Sequence, residues 1–329
     1  MKELDIKLFD ELKDVSARIG NDINLVQVNG GNTSIKINEH VLIKASGKHL
    51  ANAKKENIFT KIPLKDSVKK NKSIEKKTNK EMLWPSIEKD MHKLISSKIV
   101  LHTHPVDLIS LTMTREGKNI IKEKLKDFKW VWINYSKPGS ELAKEIKKVI
   151  DNETNILILQ NHGLVVGAET VTDAEKLQRD VLKKLKCKRR DYKSLNKKVL
   201  NSFIGNLKFE AFLPENEIIH TLGTDPLSFK LVQKNPYSPD HAVFFGLSVP
   251  IINNIDDDSL KILNKNDYII IKDLGVLILK KNKSLEVMLR TQAEVFLRIS
   301  NFKNVNVLSH SQCEELINWE AEKLRRKKM

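Results

Sequence analysis

Two histidines separated by a single residue, His102 and His104, close an apolar segment starting at Lys98 that predicts a buried strand. Alternate residues of a regular strand share a face, so both imidazoles can reach one ion. His162 lies in a turn between two further predicted strands, where Gly163 frees the backbone. Three neutral imidazoles with an open fourth position form the arrangement of a catalytic zinc site. Two distant strand ends must therefore meet in the fold, unless these histidines are merely polar residues that end strands.

A carboxylate, Glu88, is the next candidate for chemistry. It follows Pro85-Ser86-Ile87 at the predicted start of a helix, where the helix dipole favours a negative charge. Its simplest role is to cap that helix. If Glu88 instead faces the metal, it can bind the ion at rest and act as a base when substrate displaces it.

Short strands and amphipathic helices alternate through the first 200 residues. Strands are predicted at 25–28, 33–37, 41–44, 98–102, 131–133, 155–160 and 164–166, and helices at 86–94, 139–150 and 171–185. The lysine-rich segment 65–80 has no periodicity and is predicted to be a loop. The pattern indicates an α/β domain.

From about residue 200 the pattern changes. Strands are predicted at 209–212, 243–245, 268–272 and 276–279, and helices at 284–299 and 312–327. The segment after residue 266 repeats the order strand, glycine turn, strand, helix found around His162, which suggests a degenerate second copy with Leu274 in place of that histidine. Asp240 and His241 could form a second polar site, but a satisfied turn is the expected structure there.

The net charge of +16 raises the question of a polyanionic partner. Only nine of the 58 basic residues are arginine, whereas nucleic-acid surfaces favour the bidentate contacts of arginine. The basic residues are also dispersed, so we expect no nucleic-acid partner. The two cysteines, Cys187 and Cys313, lie far apart, and we find neither a signal-peptide pattern nor an apolar run of membrane-spanning length. We therefore expect a cytoplasmic protein without membrane contact.

Six short motifs resemble those of the class II aldolase/adducin family, in the family's order and at similar intervals over residues 5–190. They are Gly31-Asn32-Thr33-Ser34, Ser46-Gly47, Pro85-Ser86-Ile87-Glu88, His102-Thr103-His104-Pro105, a segment from Tyr135 to Leu142, and Asn161-His162-Gly163. The region around the paired histidines is most similar to the aldolase part of the rhamnulose-phosphate aldolase/dehydrogenase type. No Gly-x-Gly-x-x-Gly follows a predicted strand, so we expect no dinucleotide-binding dehydrogenase domain.

The resemblance implies a fold, a cofactor and an activity. The fold is α/β, a three-layer α/β/α domain with a central, mainly antiparallel sheet in residues 1–200, followed by a C-terminal α/β domain of unknown role in residues 201–329. The cofactor is Zn²⁺, or another divalent metal, bound by His102, His104 and His162. The activity is cleavage of a ketose or ketose phosphate through a metal-stabilised enediolate, in a homo-oligomer that is commonly a tetramer.

Roles for single residues also follow from the resemblance. Glu88 matches the family's catalytic acid/base, and Tyr135 matches a proton donor supplied across a subunit interface. The substrate, with its phosphate where present, is expected to be held by Gly31, Asn32, Ser46, Gly47 and Ser86.

One departure from the family pattern affects the expected substrate. Ile87 stands where the family has a second serine, so the substrate either lacks a phosphate or binds it through other groups such as Lys48 or Lys137. The alternatives to an aldolase are a sugar-phosphate 4-epimerase or dehydratase with the same zinc site, and a non-catalytic, adducin-like scaffold. The epimerases have Asp where Glu88 stands, and a scaffold has no use for three intact histidines, which favours the aldolase.

Overall fold

The computed structural model describes residues 3–65, 83–192, 197–205, 210–253 and 266–326. The predicted lysine-rich loop, residues 65–80, lies outside these segments except for its first residue. Within the described segments, no helix has the length and apolarity needed to cross a bilayer.

Helices and strands alternate along the described chain. The strands are β1 (Asn32–Ile37), β2 (His40–Lys44), β3 (Phe59–Pro63), β4 (Ile99–Thr103), β5 (Trp130–Ile133), β6 (Ile156–Leu159), β7 (Gly163–Ala168), β8 (Ile251–Ile252), β9 (Tyr268–Ile271) and β10 (Gly275–Ile278). The α-helices are α1 (Glu3–Asn21), α2 (Lys89–Leu94), α3 (Val106–Thr112), α4 (Gly117–Lys124), α5 (Ser140–Lys147), α6 (Val171–Leu185), α7 (Lys197–Gly205), α8 (Thr221–Thr224), α9 (Pro226–Val232), α10 (Pro239–Phe245), α11 (Lys283–Phe296), α12 (His310–Asn318) and α13 (Glu320–Arg326). Short 3-10 helices occur at Leu50–Asn52, Glu217–His220 and Phe302–Asn304.

The first seven strands form one sheet in the order β3-β2-β1-β4-β7-β6-β5. Every neighbouring pair is antiparallel except β5 and β6. Asn32 of β1 lies opposite His102 of β4, and Leu164 of β7 lies opposite Thr103 on the other side. The carboxyl end of the central strand β4 is therefore flanked by the first residues of two neighbours.

Apolar side chains alternate between the two faces of this sheet. On β4, Ile99 and Leu101 join the apolar cluster formed with α1, α3, α4 and α6, whereas Val100 joins the cluster beneath α2 and α5. Strands that are apolar on both faces need helices on both faces. The expected three-layer α/β/α domain with a mainly antiparallel sheet is confirmed, and His102, on the same face as Val100, points toward α2.

Two predicted strands, 25–28 and 243–245, are wrong, and the described residues of the predicted strand 209–212 form only an isolated bridge between Phe212 and Ile278. The segment 25–28 forms turns, in which Leu25 N and Val26 N donate to Asp22 O, and β1 is already paired on both edges with β2 and β4. The segment 243–245 is the end of α10, which Ser238 caps by accepting a hydrogen bond from His241 N. A serine cap followed by proline is a helix start signal that outweighs the β propensity of this short apolar run.

The C-terminal region repeats part of the first domain in structure. β8 pairs in parallel with β9, and β9 pairs antiparallel with β10, as β5, β6 and β7 do. Leu159 pairs with Gly163 across the first hairpin, and Ile271 pairs with Gly275 across the second, 112 residues further along the chain. The helices that follow, α6 and α11, begin at Val171 and Lys283, which are also 112 residues apart. This correspondence of register supports the hypothesis of a degenerate second copy.

The two regions share an apolar core. Val106, Ile109 and Met113, from α3 and its end, pack in one cluster with residues of α9, α11, β9 and β10. Arg298, just after α11, donates to Asp107 Oδ1 at 2.7 Å. The C-terminal region is thus anchored on the helix that follows His104, and the domain division at residue 200 stays a prediction.

Candidate functional site

The three predicted histidine ligands meet at one point. His102, His104 and His162 each offer a ring nitrogen, and these atoms lie within 4.8 Å of one another. The Nε2 atoms of His102 and His104 are 3.1 Å apart. All three rings are buried. The fold therefore brings the end of β4 and the β6–β7 turn together as the sequence predicted.

Hydrogen bonds on the far side of two rings fix which nitrogen faces the centre. His102 Nδ1 lies 3.0 Å from Leu164 O, and His104 Nδ1 lies 2.7 Å from Asp240 Oδ2. A carbonyl or carboxylate oxygen accepts, so both Nδ1 atoms carry the proton and donate outward. The Nε2 lone pairs of His102 and His104 are then directed at the common point, as in metal sites where an outer partner orients the ligand.

The electrostatics of this cluster fit a metal ion. Burial lowers the pKa of His102, and burial lowers the pKa of His162 to about 3, because a buried imidazolium loses its hydration. The two facing Nε2 lone pairs of His102 and His104 repel each other unless a cation lies between them. Burial disfavours an additional proton on His102 and His162, and three imidazole nitrogens are a donor set that zinc binds well. The residues present therefore fit a zinc ion.

Glu88 faces the same point. Its Oε2 lies 3.4 Å from His102 Nε2, and its Oε1 lies 3.4 Å from His162 Nε2. Its side chain makes no capping bond to α2, and Oε1 has no hydrogen-bond partner among the described residues. Burial opposes ionisation of the carboxyl, but the facing imidazoles and the Asn32 amide outweigh burial and lower the pKa of Glu88. This carboxylate can act as a fourth ligand or accept a proton.

A hydrogen-bond chain through α2 and β1 holds Glu88. Asn32 Nδ2 donates to Glu88 Oε2 at 2.8 Å and to Ser86 Oγ at 3.2 Å. On its other side, Asn32 Oδ1 is bonded to His92 Nε2, and His92 Nδ1 lies 2.7 Å from Ser34 Oγ. Burial lowers the pKa of His92 to about 3, so the ring is neutral; its Nε2 donates to Asn32, and its Nδ1 accepts from Ser34. Asn32 therefore orients Glu88 as well as lining the site.

Glycines allow the close approach of the three histidines. A Cβ at Gly163 would collide with Thr103 O and lie 3.1 Å from His102 Cε1. A Cβ at Gly30 would lie 3.1 Å from both His104 Nδ1 and Asp240 Oδ2. Side chains at these two positions would thus push against the ligands themselves.

The turn that carries His162 is tied to the C-terminal region. Asn161 has a positive φ of 56°, and its Nδ2 donates to Tyr237 O at 2.8 Å and to Asn306 O at 2.9 Å. The equivalent turn of the second copy has Asp273 with a φ of 61°. Asn and Asp tolerate this left-handed conformation better than other residues with side chains.

A small cavity of about 30 Å³ opens beside the histidines. It is lined by each of the residues predicted to hold the substrate, namely Gly31, Asn32, Ser46, Gly47 and Ser86. Glu88, His104 and His162 line it as well, together with Lys44 and the C-terminal residues Asp240 and Glu322. The predicted substrate residues therefore share one cavity with two of the three candidate metal ligands, His104 and His162.

Tyr135 does not line this cavity. Its ring packs against a cluster of α10 and α12 that includes Val243, Cys313 and Leu316. Its hydroxyl has no hydrogen-bond partner among the described residues, and burial raises its pKa. Its role as a proton donor across a subunit interface stays a prediction.

The family model of the Class II Aldolase and Adducin N-terminal domain matches residues 11–180, which is just over half of the chain. The chain belongs to the class II aldolase/adducin family. All three histidines, Glu88 and the predicted substrate residues lie within the matched range, whereas Asp240 and Glu322 lie beyond it. The family resemblance expected from the sequence is confirmed.

Two curated relatives and one solved structure illustrate the match. The oxidoreductase YuxG of Bacillus subtilis is 31% identical over 185 residues, which are 49% of this chain but only 26% of YuxG. The L-fuculose phosphate aldolase of Methanococcus maripaludis is 26% identical over 167 residues, 46% of this chain and 81% of that enzyme. The N-terminal class II aldolase domain of a conserved Thermoplasma acidophilum protein is 27% identical with a TM-score of 0.46, covering 54% of this chain and 91% of that one. The chain thus spans about a quarter of the length of YuxG.

Sequence reasoning missed two buried residues that contact the site. Asp240 was expected in a satisfied turn, but it lies in the first turn of α10 and its carboxylate binds His104. His92 went unnoticed although it lies one helical turn after Glu88, a spacing that places both on one face of α2. For Asp240 no local signal existed, because its partner is 136 residues away in the chain.

Proposed function

We propose that this protein is a zinc-dependent aldolase that cleaves a ketose or ketose phosphate. The observation that carries the proposal is the convergence of His102, His104 and His162 with the Glu88 carboxylate on one buried point beside a cavity. A zinc ion bound there supplies positive charge that stabilises the oxyanion developing next to the broken carbon–carbon bond.

Glu88 is proposed to move the substrate proton. In the condensation direction its carboxylate accepts a proton from the carbon next to the carbonyl, a new carbon–carbon bond forms to the aldehyde, and the aldehyde oxygen gains a proton. Cleavage is the reverse of these steps. The lowered pKa of Glu88 leaves it ionised at neutral pH, as a proton acceptor must be.

Other residues orient these groups. Asn32 holds one oxygen of Glu88 and leaves the other facing the histidines. Asp240 and Leu164 O hold His104 and His102 with their Nε2 atoms toward the centre. Tyr135 of a neighbouring subunit is proposed as the donor to the aldehyde oxygen, as the family resemblance implies. We further propose a homo-oligomer in the cytoplasm.

The test combines metal analysis with a substrate screen. Purified protein is expected to contain about one zinc per chain and to release an aldehyde from at least one member of a panel of ketoses and ketose 1-phosphates. Protein that binds no divalent metal and cleaves nothing in the panel would refute the proposal. Epimerised or dehydrated product without cleavage would assign the site to one of the alternative reactions.

A further inference from the structure

Four buried polar side chains form one line from β1 to Glu88. Asn32 and Ser34 are two residues apart on β1, so their side chains share a face of the sheet. His92 lies one helical turn after Glu88, so both face the same side of α2. The ring of His92 contacts both strand residues and is completely buried. The imidazole thus joins β1 to the helix that begins at Glu88.

The direction of each hydrogen bond in this line is fixed. A carboxylate only accepts, so the end of the Asn32 amide that lies 2.8 Å from Glu88 Oε2 must be Nδ2. Asn32 Oδ1 then faces His92, and the ring must carry its proton on Nε2. Because the buried ring is neutral, its Nδ1 accepts from Ser34 Oγ at 2.7 Å. Each group has one role, so the four side chains hold a single arrangement.

A reversed Asn32 amide would disrupt this arrangement at every contact. Its Oδ1 would face Glu88 Oε2, so that two acceptors lay 2.8 Å apart. Its Nδ2 would face the N–H of His92, and Ser86 Oγ would lose the hydrogen bond that Asn32 donates at 3.2 Å. The proton on His92 Nε2 therefore holds the amide in its orientation from behind.

The two oxygens of Glu88 differ in this contact. Oε2 lies 3.4 Å from His102 Nε2 and Oε1 lies 3.4 Å from His162 Nε2, so a zinc ion bound by the histidines attracts both and does not by itself choose between them. Oε2 accepts from Asn32, whereas Oε1 has no hydrogen-bond partner among the described residues. While Asn32 keeps Nδ2 toward Oε2, a proton that reaches the carboxylate must bind Oε1.

We propose that His92 is a positioning residue that holds the Asn32 amide in one orientation and so confines the substrate proton to Glu88 Oε1. The proposal rests on the aldolase function proposed above and specifies how its proton is handled. Without His92, a protonated Glu88 could donate from Oε2 to a reversed Asn32 amide. The proton would then lie on the oxygen that faces Asn32 and would not be returned to the substrate carbon.

Two variants of the full-length, zinc-loaded protein separate this role from simple packing. His92→Gln places an amide nitrogen near the position of the imidazole Nε2, so it can still donate to Asn32. His92→Leu fills the space but donates nothing. In the leucine variant kcat should fall by about 10–100-fold, the usual loss when an outer partner of a site is removed, while KM and zinc content stay those of the parent. Glutamine should restore most of the lost kcat.

NMR of the metal-free protein tests the same point without turnover. With ¹⁵N-labelled histidine, the signal that both variants lack should show a proton on Nε2 and none on Nδ1. With ¹⁵N-labelled asparagine, the signals that are lost in Asn32→Asp belong to the Asn32 amide. Their hydrogens should exchange with solvent about tenfold faster or more in His92→Leu than in His92→Gln, because only glutamine still holds the amide.

Three results would overturn the role of His92. They are a proton on its Nδ1, equal losses of kcat in the two variants, and a kcat in His92→Leu equal to that of the parent. If the leucine variant does not fold, His92→Asn replaces it, because asparagine keeps a polar group beside Ser34 but is too short to reach Asn32. A parent protein that cleaves no ketose refutes the aldolase function, and the NMR measurements then still decide whether His92 orients Asn32.

Discussion

The candidate ligands owe their orientation to partners from different parts of the chain. His102 is held by a backbone carbonyl of β7, whereas His104 is held by a side chain of α10. The catalytic carboxylate candidate is held by the amide of Asn32. Substitutions at Glu88 and at Asp240 are therefore expected to affect the proposed proton transfer and the proposed metal binding separately.

Glu88→Gln should separate chemistry from metal binding. Glutamine keeps the shape of the side chain but cannot accept the substrate proton, so kcat should fall by about 10²–10⁴-fold. Zinc content, measured on the purified variant by atomic emission, should stay near that of the unmodified protein because three histidines remain. Full activity in this variant would remove Glu88 from the mechanism.

Asp240→Asn should weaken metal binding. The carboxylate fixes the His104 tautomer, and loss of such an outer partner typically lowers metal affinity by about 10–100-fold. Competition with a zinc chelator measures the change without reference to turnover. Asp267→Asn is the matched control, because that carboxylate is largely exposed and pairs with Lys280. Equal zinc affinity in the two variants would contradict the role of Asp240.

At the level of elements, the hairpin of β6 and β7 must approach β4 closely to deliver His162. Gly163→Ala places a methyl group against Thr103 O and His102, so the hairpin must shift. The free energy of unfolding should fall by about 1–3 kcal/mol, and zinc content should fall with it. Gly205→Ala is the control, because a Cβ there meets nothing within 4 Å. Denaturant titrations of both variants measure the difference.

Elements with strong local signals were predictable from the sequence. The helix 171–185 has a clear 3.6-residue period and a threonine cap, and its predicted bounds match α6. The segment 243–245 was predicted as a strand because three apolar residues look alike in a strand and a short helix. The histidine cluster could be predicted because its members lie at or directly beside the ends of strands, whereas the positions of Asp240 and Glu322 depend on the packing of a distant region.

For the molecule as a whole, buried neutral histidines make stability depend on pH. Burial lowers the pKa of His241 and of His92 to about 3, from 6.5. Below pH 6.5 the unfolded chain binds protons that the folded chain does not, so the free energy of unfolding falls as the pH is lowered toward 3. Between pH 7 and pH 5 each such histidine should lower the free energy of unfolding by about 2 kcal/mol.

The check uses urea denaturation of the metal-free protein at these two pH values. His241→Gln should flatten the dependence by about the contribution of one histidine, because glutamine does not titrate. If the free energy of unfolding changes by the same amount between pH 7 and pH 5 in this variant and in the parent, the pKa of His241 is not lowered in the folded protein.

The two equivalent hairpins also indicate whether the turn that carries His162 needs a bound ion to keep its shape. Asn161 and Asp273 have nearly the same backbone conformation, although Leu274 follows the second where His162 follows the first. A turn that keeps its shape with leucine at its tip does not depend on coordination to form. The three histidines of the proposed zinc site are therefore expected to be positioned by packing alone, so that removal of the ion should leave the protein folded.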